Sequence, residues 1–172
     1  MTSSISFQKI NSISSSQKRE MESIFWDTSG KKKGEFSSSE AIYNFENAYL
    51  NSYLNDGDTF VAMENKKIIG YLLFHHQTES LLKNPIVSSN YKFFSNELFE
   101  YPTSLHINVS ALAQGKRVGG RLMEYSLNFL KPINKIHLIT HKDSRNVRFY
   151  ERLGFRALKV DQRGLVLLAY TN

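Results

Sequence analysis

The sequence predicts a single domain of mixed helices and strands, of the α/β or α+β class, that spans residues 1–172. The first observation is its size and composition: 172 residues, 41% hydrophobic and 22% charged, suit one compact domain that needs no disulfide or metal. The second is that strand-like and helix-like patterns follow one another with no internal repeat and no linker. The third is the segment 104–155, where a strand, a basic glycine-containing loop, a helix, a strand and a short helix follow in order.

The first 74 residues predict a strand, two helices and a hairpin. Alternating apolar and polar side chains indicate the strand, and clusters of serine before each helical pattern supply N-caps. The last strand is apolar enough to be buried on both faces. In order, the elements are a strand at 4–10, a helix at 17–26, a second helix, and hairpin strands at 59–63 and 67–74. One of the serines at 37–39 caps the second helix, and residues 55–58 end it.

Residues 75–102 are the least regular part of the chain and contain Pro85, Pro102 and many aromatic side chains. A loop of this length without structure is rare in a compact domain, so we expect one or two short helices here. The aromatic side chains are predicted to extend the core, with the wall of a substrate pocket as the alternative.

The last 70 residues predict two more strand–helix transitions and a final hairpin. The elements are a strand at 105–109, a helix at 118–130, a strand at 135–140, a short helix, and hairpin strands at 155–160 and 165–170. Pro132 ends the longer helix. Asp143 or Ser144 caps the short helix, and Gly154 closes it.

Composition limits the chemistry that the chain can perform. The absence of cysteine excludes disulfides, a thiol nucleophile and thiolate zinc sites, and no metal site is predicted. Because the chain has neither a signal-like apolar segment nor an apolar run long enough to span a membrane, we expect a cytoplasmic protein without a membrane partner. The net charge of +6 favours anionic partners, namely nucleic acid, phosphorylated cofactors or acidic surfaces, although no nucleic-acid motif accompanies it.

The basic loop before the helix at 118–130 has the properties of a phosphate site. A helix N-terminus presents unpaired N–H groups and positive potential, and glycines let a ligand approach the backbone closely. The loop adds three cationic side chains: Lys116, Arg117 and Arg121. It fits neither the triphosphate P-loop nor the dinucleotide fingerprint. An ordinary strand-to-helix turn is the simpler alternative.

Two motifs make the sequence similar to the GNAT superfamily of N-acetyltransferases. Gln114, Gly119 and the helix after them match the family's loop pattern Gln/Arg-x-x-Gly-x-Gly/Ala, with Arg117 where the first pattern glycine usually stands. Residues 149–155 match the family's Phe-Tyr-Glu-x-Leu-Gly-Phe signature. The resemblance implies one N-acetyltransferase domain with a mixed, mostly antiparallel sheet of about six or seven strands, flanked by about four helices. Two parallel strands of that sheet splay apart.

The resemblance also implies acetyl-CoA as co-substrate and assigns residues to it. The backbone of Ile107, Asn108 and Val109 would pair with the pantetheine arm, and Asp143 or Asn146 would contact the cofactor. The residues predicted to hold the pyrophosphate are Gln114, Gly115, Lys116, Arg117, Val118, Gly119, Gly120 and Arg121.

The implied reaction is direct transfer of the acetyl group to a primary amine, with Tyr150 as general acid to the CoA thiolate. A packed aromatic beside Val147 is the alternative for Tyr150. No general base is assigned. His75, His76, His106 and His141 are candidates, but a structural or surface role is the favoured interpretation of each, and Glu100 is a further candidate without support from its spacing. Arg145, Arg148 and Arg152 share a helical face, which is either solvated or contacts the CoA 3′-phosphate.

Two other functions stay open from the sequence. One is a catalytically weak sensor that binds acyl-CoA, and the other is a basic nucleic-acid-binding protein. The acceptor is a small-molecule or peptide amine of unknown identity, and the protein is expected to be a monomer or a homodimer. The basic loop at 27–39 is interpreted as a solvated connection or, alternatively, as a flexible lip near the acceptor site.

Overall fold

A computed structural model of the protein describes residues 4–130 and 135–171. The strands are β1 (Ser6–Ile10), β2 (Asp58–Glu64), β3 (Lys67–His75), β4 (Thr103–Val109), β5 (Lys135–His141), β6 (Arg156–Val160) and β7 (Leu165–Thr171). The helices are α1 (Ser15–Thr28), α2 (Ser39–Glu46), α3 (Ser52–Asp56), α4 (Thr78–Leu81), α5 (Pro85–Tyr91), α6 (Ser95–Glu100), α7 (Val118–Phe129) and α8 (Asn146–Arg152). A π-helical turn at Asn47–Asn51 joins α2 to α3, and 3₁₀ turns lie at Lys33–Glu35 and Ala111–Ala113.

The described strands form one seven-stranded sheet in the order β1-β2-β3-β4-β5-β7-β6. Every neighbouring pair is antiparallel except β4 and β5, which are parallel. The mixed, mostly antiparallel sheet with one parallel pair that the sequence predicted is therefore confirmed. The assignment of the full 1–172 range to one domain stays a prediction.

Helices cover both faces of this sheet. One core cluster lies between the sheet and α1, α3 and α5, and the other lies between the opposite face and α7 and α8. Tyr71 and Leu73 of β3 belong to the first cluster, and Leu72 and Phe74 to the second, and all four are fully buried. This confirms that β3 is buried on both faces.

The helices differ from the prediction mainly between β3 and β4. Three short helices occupy this segment instead of one or two, so the number of flanking helices exceeds the expected four. Local chemistry explains the added boundary, because the Asn84 side chain accepts from the N–H groups of Ile86 and Val87 and Pro85 occupies the first helical position. The predicted helix stop at Pro132 lies outside the described residues.

Gly57 allows the end of α3 to pack directly on β3. A Cβ atom at this position would lie 2.0 Å from the carbonyl oxygen of Phe74 and 2.7 Å from that of Tyr53. Only glycine fits such a close backbone approach. The contact fixes α3, and with it Tyr53, against the centre of the sheet.

Residues 4–130 and 135–171 contain neither a membrane-spanning helix nor a cluster suited to a metal ion. Among them, no helix combines the length and apolar character needed to cross a membrane. Nor do three or more His, Asp or Glu side chains of this part of the chain come together where they could hold a metal ion.

Candidate active site

The parallel strands β4 and β5 separate soon after they meet. Only Thr103 and Ser104 of β4 pair with β5, whereas six residues of β4 pair with β3 on the other side. Beyond Ser104, the edge of β4 that faces β5 therefore has no strand partner among the described residues. The splayed pair implied by the resemblance is present at the centre of the sheet.

Two cavities lie at this separation. We call the larger, of about 1220 Å³, the cofactor cavity; its walls are β4, the loop before α7, the start of α7, and α8. We call the smaller, of about 310 Å³, the acceptor cavity; its walls are the π turn, α5, β4 and β5. Four residues line both: Ile107, Asn108, Asn146 and Tyr150. The cavities therefore meet where β4 faces α8.

The N-terminus of α7 presents free backbone donors to the cofactor cavity. The first N–H to bond within the helix is that of Arg121, which donates to the Arg117 carbonyl at 3.1 Å. Val118, Gly119 and Gly120 precede it and line the cavity. Because the first N–H groups of a helix have no partner within it, this end is suited to bind an anion.

Arginines give the cofactor cavity a positive lining. The side chains come from the loop, α7 and α8: Arg117, Arg121, Arg145 and Arg152. Glu124 is the single acidic residue among the described residues of this lining. The excess of positive charge complements a ligand with several phosphate groups.

Gln114 ties together three parts of the cofactor cavity. Its Nε2 donates to the Val109 carbonyl at 3.1 Å, and its Oε1 accepts from Nη2 of Arg145 at 3.3 Å. These bonds link the end of β4 to the loop and to the turn before α8. Gln114 thus orders the rim of the cavity, and one of the β4 carbonyls predicted to contact the cofactor is engaged by it.

The backbone conformation at Arg117 explains why the family's loop pattern has glycine at this position. It is the residue before α7, and its φ of 59° lies in the left-handed region. An L-residue other than glycine is strained there, by about 1–2 kcal/mol. The loop therefore keeps the conformation that glycine favours, with arginine in its place.

Replacing Arg117 by glycine is expected to raise the free energy of unfolding by up to about 1 kcal/mol, because the relieved strain exceeds glycine's added entropy in the unfolded chain. Urea unfolding followed by circular dichroism measures the change. Lys116→Gly is the matched control, since Lys116 is an exposed neighbour without positive φ, and it should be neutral or destabilising. Equal losses in both variants would contradict the prediction.

Most of the predicted cofactor-binding residues lie around the cofactor cavity. Lys116 and Asp143 are the exceptions, because they line neither cavity. The Asp143 carboxylate is exposed, 3.5 Å from Nδ1 of His141, whereas Asn146 lines both cavities. Position favours Asn146 over Asp143, and the contacts of all these residues with a cofactor stay predictions.

Sequence reasoning did not assign Tyr49, Tyr53 or Asn90 to a ligand pocket. Tyr49 and Tyr53 enter it from the π turn and α3, and π turns often occur at functional sites. Asn90 and Tyr91 enter it from α5. The helical spacing of Tyr49 and Tyr53 was visible in the sequence, but nothing there indicated which wall they face. Within the segment 75–102, Tyr91 lines this cavity, which agrees with the alternative of a pocket wall. Phe94 and Leu98 belong to the core, and Phe99 is exposed.

Hydrogen bonds fix the polar groups of the acceptor cavity. The Asn90 amide donates to the Tyr49 hydroxyl at 2.9 Å, and the Asn108 amide donates to the Tyr71 hydroxyl at 2.8 Å. The Asn108 amide also lies 3.0 Å from Nε2 of His106. Tyr49 keeps its own hydroxyl hydrogen available for a ligand.

Tyr150 is held by packing at the junction of the two cavities. It is 7% exposed, and its ring contacts Phe149 and Phe155 with centroid distances of 5.1 Å and 5.6 Å. Burial raises the pKa of its phenol well above the usual value of 10. Its hydroxyl makes no side-chain or backbone hydrogen bond within residues 4–130 and 135–171, so it remains available to a ligand.

The candidate bases take different positions. His106 lines the acceptor cavity, and burial lowers its pKa to about 4. His75 is buried, and His76 pairs with Asp58 at 2.8 Å. His141 and Glu100 are exposed and lie near Asp143 and Lys135. Of these five, only His106 lies in either cavity, and its ring is neutral at neutral pH.

The basic loop before α2 is attached to an aromatic cluster. Lys33 lies 3.2 Å from Glu46, which also accepts from the indole N–H of Trp26 at 2.8 Å. Lys31 lies over the rings of Phe36 and Phe45. Phe45 in turn contacts Tyr49 of the acceptor cavity, and Thr28 lines the cofactor cavity. The loop is thus linked to the acceptor cavity through Phe45 and Tyr49, and its role as a lip stays a prediction.

Comparison with known proteins agrees with this architecture. Residues 55–157, more than half of the chain, match the family model described as the acetyltransferase (GNAT) domain. The chain therefore belongs to the GNAT acetyltransferase family. No curated protein sequence matches the chain significantly.

Solved structures share the fold at low sequence identity. The crystal structure of SsHAT has a TM-score of 0.73 at 20% identity, over 96% of this chain and 98% of that one. The PaiA N-acetyltransferase from Thermoplasma acidophilum, solved with coenzyme A, has a TM-score of 0.63 at 15% identity, over 98% and 99%. A GNAT acetyltransferase from Elizabethkingia anophelis with bound acetyl-CoA gives 0.57 at 15%, over 98% of each chain. These likenesses establish the fold.

Proposed function

We propose that the protein transfers an acetyl group from acetyl-CoA to the nitrogen of a primary amine, with Tyr150 as general acid. The observation that carries the proposal is the position of Tyr150 where the cofactor and acceptor cavities meet. A group at such a junction is near the bond that is transferred from one substrate to the other.

The cofactor cavity suits acetyl-CoA chemically. The free edge of β4 at Ile107 and Asn108 offers backbone groups to an extended amide-containing arm. The N–H groups at the start of α7, together with Arg117 and Arg121, offer donors to a pyrophosphate. Arg145 and Arg152 provide positive charge for a further phosphate.

The proposed reaction is one direct transfer. The neutral amine attacks the thioester carbonyl carbon, so that the C–N bond forms and the C–S bond breaks. Tyr150 donates its phenolic proton to the departing thiolate, and the amine releases its surplus proton to water, from which Tyr150 is reprotonated. The products are the N-acetylated amine and the free thiol.

His106 has a supporting position in this scheme. Its pKa of about 4, lowered by burial, makes it a weak base, and its ring is therefore a hydrogen-bond partner for the amine or for water. No residue is assigned as general base.

A catalytically weak acyl-CoA sensor is the second candidate. It is favoured by the absence of a strong base among the described residues that line the acceptor cavity. A sensor would bind CoA without turnover.

A thiol-release assay with acetyl-CoA and a broad panel of amines tests the proposal. We expect release well above the rate of hydrolysis with at least one amine, and thermal stabilisation by CoA at fixed salt. Stabilisation without release for any amine would favour the sensor. Binding to nucleic acid that falls steeply with salt, without CoA stabilisation, would favour the nucleic-acid alternative. The cytoplasmic location and the monomeric or homodimeric state stay predictions.

A further inference from the structure

The two cavities differ sharply in charge. The cofactor cavity is lined by four arginines and one glutamate. Among the described residues, the lining of the acceptor cavity contains no Asp, Glu, Lys or Arg. Its walls consist of aromatic rings, amides, hydroxyls and aliphatic groups, so any charge inside the cavity must come from the ligand.

The titratable groups of the acceptor cavity are also uncharged near neutral pH. Burial raises the pKa of Tyr49, Tyr91 and Tyr150 above the usual value of 10, and that of Tyr53 to about 12. Burial lowers the pKa of His106 to about 4. The cavity therefore offers no counterion.

A neutral cavity discriminates strongly against a second charge on the acceptor. The reacting amine gives up its charge when it is deprotonated for attack. A further ammonium or carboxylate group would be removed from water without an ionic partner, which is unfavourable. Diamines, polyamines and free amino acids are therefore poor ligands of this cavity.

The aromatic lining favours a ring in the acceptor. Tyr49, Tyr53, Tyr91 and Tyr150 approach the cavity from four different elements. Aromatic pairs gain contact energy beyond the burial of area, in stacked or edge-to-face arrangements. The volume of about 310 Å³ lies at the lower end of ligand pockets, which suits a small molecule.

We infer that the acceptor is a small primary amine with an uncharged aromatic body, in which the reacting amine is the only ionisable group. This inference rests on the proposed acetyl transfer and specifies its substrate class. Asn90 is the residue that tests it most directly, because its amide lies in the cavity wall and donates to the Tyr49 hydroxyl at 2.9 Å. Its substitution by aspartate adds a counterion with almost no change in shape.

The first experiment compares amines on one skeleton in the thiol-release assay with acetyl-CoA. The probes are 2-phenylethylamine, phenylalanine with an added carboxylate, 4-(2-aminoethyl)benzylamine with an added ammonium, and hexylamine without the ring. We expect kcat/KM for 2-phenylethylamine to exceed that for either doubly charged probe by roughly a hundredfold, and that for hexylamine by several-fold. Equal or better turnover of a doubly charged probe would overturn the inference.

The second experiment uses Asn90→Asp. It is expected to raise the preference for 4-(2-aminoethyl)benzylamine over 2-phenylethylamine by roughly tenfold or more, because the carboxylate pairs with the second ammonium. Ser88→Asp is the control, since Ser88 is an exposed residue of the same helix outside the cavity lining, and the preference should not change. A folded Asn90→Asp protein with an unchanged preference would count against a role for this wall in recognition.

The outcomes distinguish a failure of the inferred substrate class from a failure of the proposed acetyl transfer. Absence of thiol release with every amine, despite CoA stabilisation, overturns the proposed acetyl transfer. Release that is fastest with a polyamine or an amino acid supports acetyl transfer and overturns the substrate class.

Discussion

Tyr150→Phe is expected to lower kcat by roughly 10²- to 10⁴-fold, the range typical of general acid catalysis, at saturating concentrations of both substrates. The phenyl ring of the variant keeps the contacts with Phe149 and Phe155, so that only the hydroxyl is lost. Because the raised pKa keeps Tyr150 protonated, the wild type has a proton to donate throughout the neutral range. The binding of CoA, measured by calorimetry, should therefore change little while turnover falls.

Tyr125→Phe is a suitable control for this experiment. Tyr125 lies on α7, its ring packs against Phe7 and Phe60, and it lines neither cavity. Its kcat should equal that of the wild type. Full turnover by Tyr150→Phe would remove the catalytic role and leave Tyr150 as a packed aromatic, the alternative that the sequence offered.

Most of the residues that line the cofactor cavity could be named from the sequence because they are close together in the chain. Gln114, Arg117 and the start of α7 are neighbours in the chain, and a helix N-terminus presents its N–H groups whatever the rest of the fold. The sequence also identified Arg117 as unusual. It did not show that this residue adopts the left-handed conformation that glycine favours, because backbone angles at one position depend on the turn around it.

The tyrosine and asparagine side chains that complete the acceptor cavity could not be predicted because they come from distant segments. The bond between Asn90 and Tyr49 joins residues 41 positions apart, and that between His137 and Tyr91 joins residues 46 apart. Such partners depend on which face each helix turns to the sheet, and the amphipathic pattern of a short helix does not determine this. The absence of charge from the acceptor cavity, which carries the inference about the substrate, is therefore visible only in the fold.

His137 should make the protein less stable as the pH falls from about 6.5 to about 4. Its side chain is fully buried in β5, and its Nδ1–H donates to the Tyr101 carbonyl while its Nε2 accepts from the Tyr91 hydroxyl at 2.9 Å. Both ring nitrogens are thus satisfied in the neutral form. Burial lowers its pKa from 6.5 to about 4, against the opposing effect of the Tyr101 carbonyl.

The sign of the pH effect follows from the two pKa values. Above pH 6.5 the ring is neutral in the folded and unfolded chains, and it contributes no pH dependence. Below 6.5 the unfolded chain takes up a proton that the folded protein rejects, so stability falls until the pH reaches about 4 and then levels off. The difference of about 2.5 pKa units corresponds to a loss of roughly 3 kcal/mol. Burial raises the pKa of Asp58, but the bonds from Lys9 and His76 outweigh this effect and lower the pKa overall. Asp58 therefore loses its contribution to stability only at lower pH.

Urea unfolding of the wild type and of His137→Asn between pH 7.5 and 4.5 measures this effect. The variant should start less stable, because it loses ring volume from the core, but its stability should fall less steeply with pH. His76→Asn is the control, since the half-buried His76 should leave the slope from His137 intact. Parallel curves for the wild type and His137→Asn would show that His137 does not carry the effect. Tyr91 also lines the acceptor cavity, so its bond to the neutral His137 ring helps to position that wall.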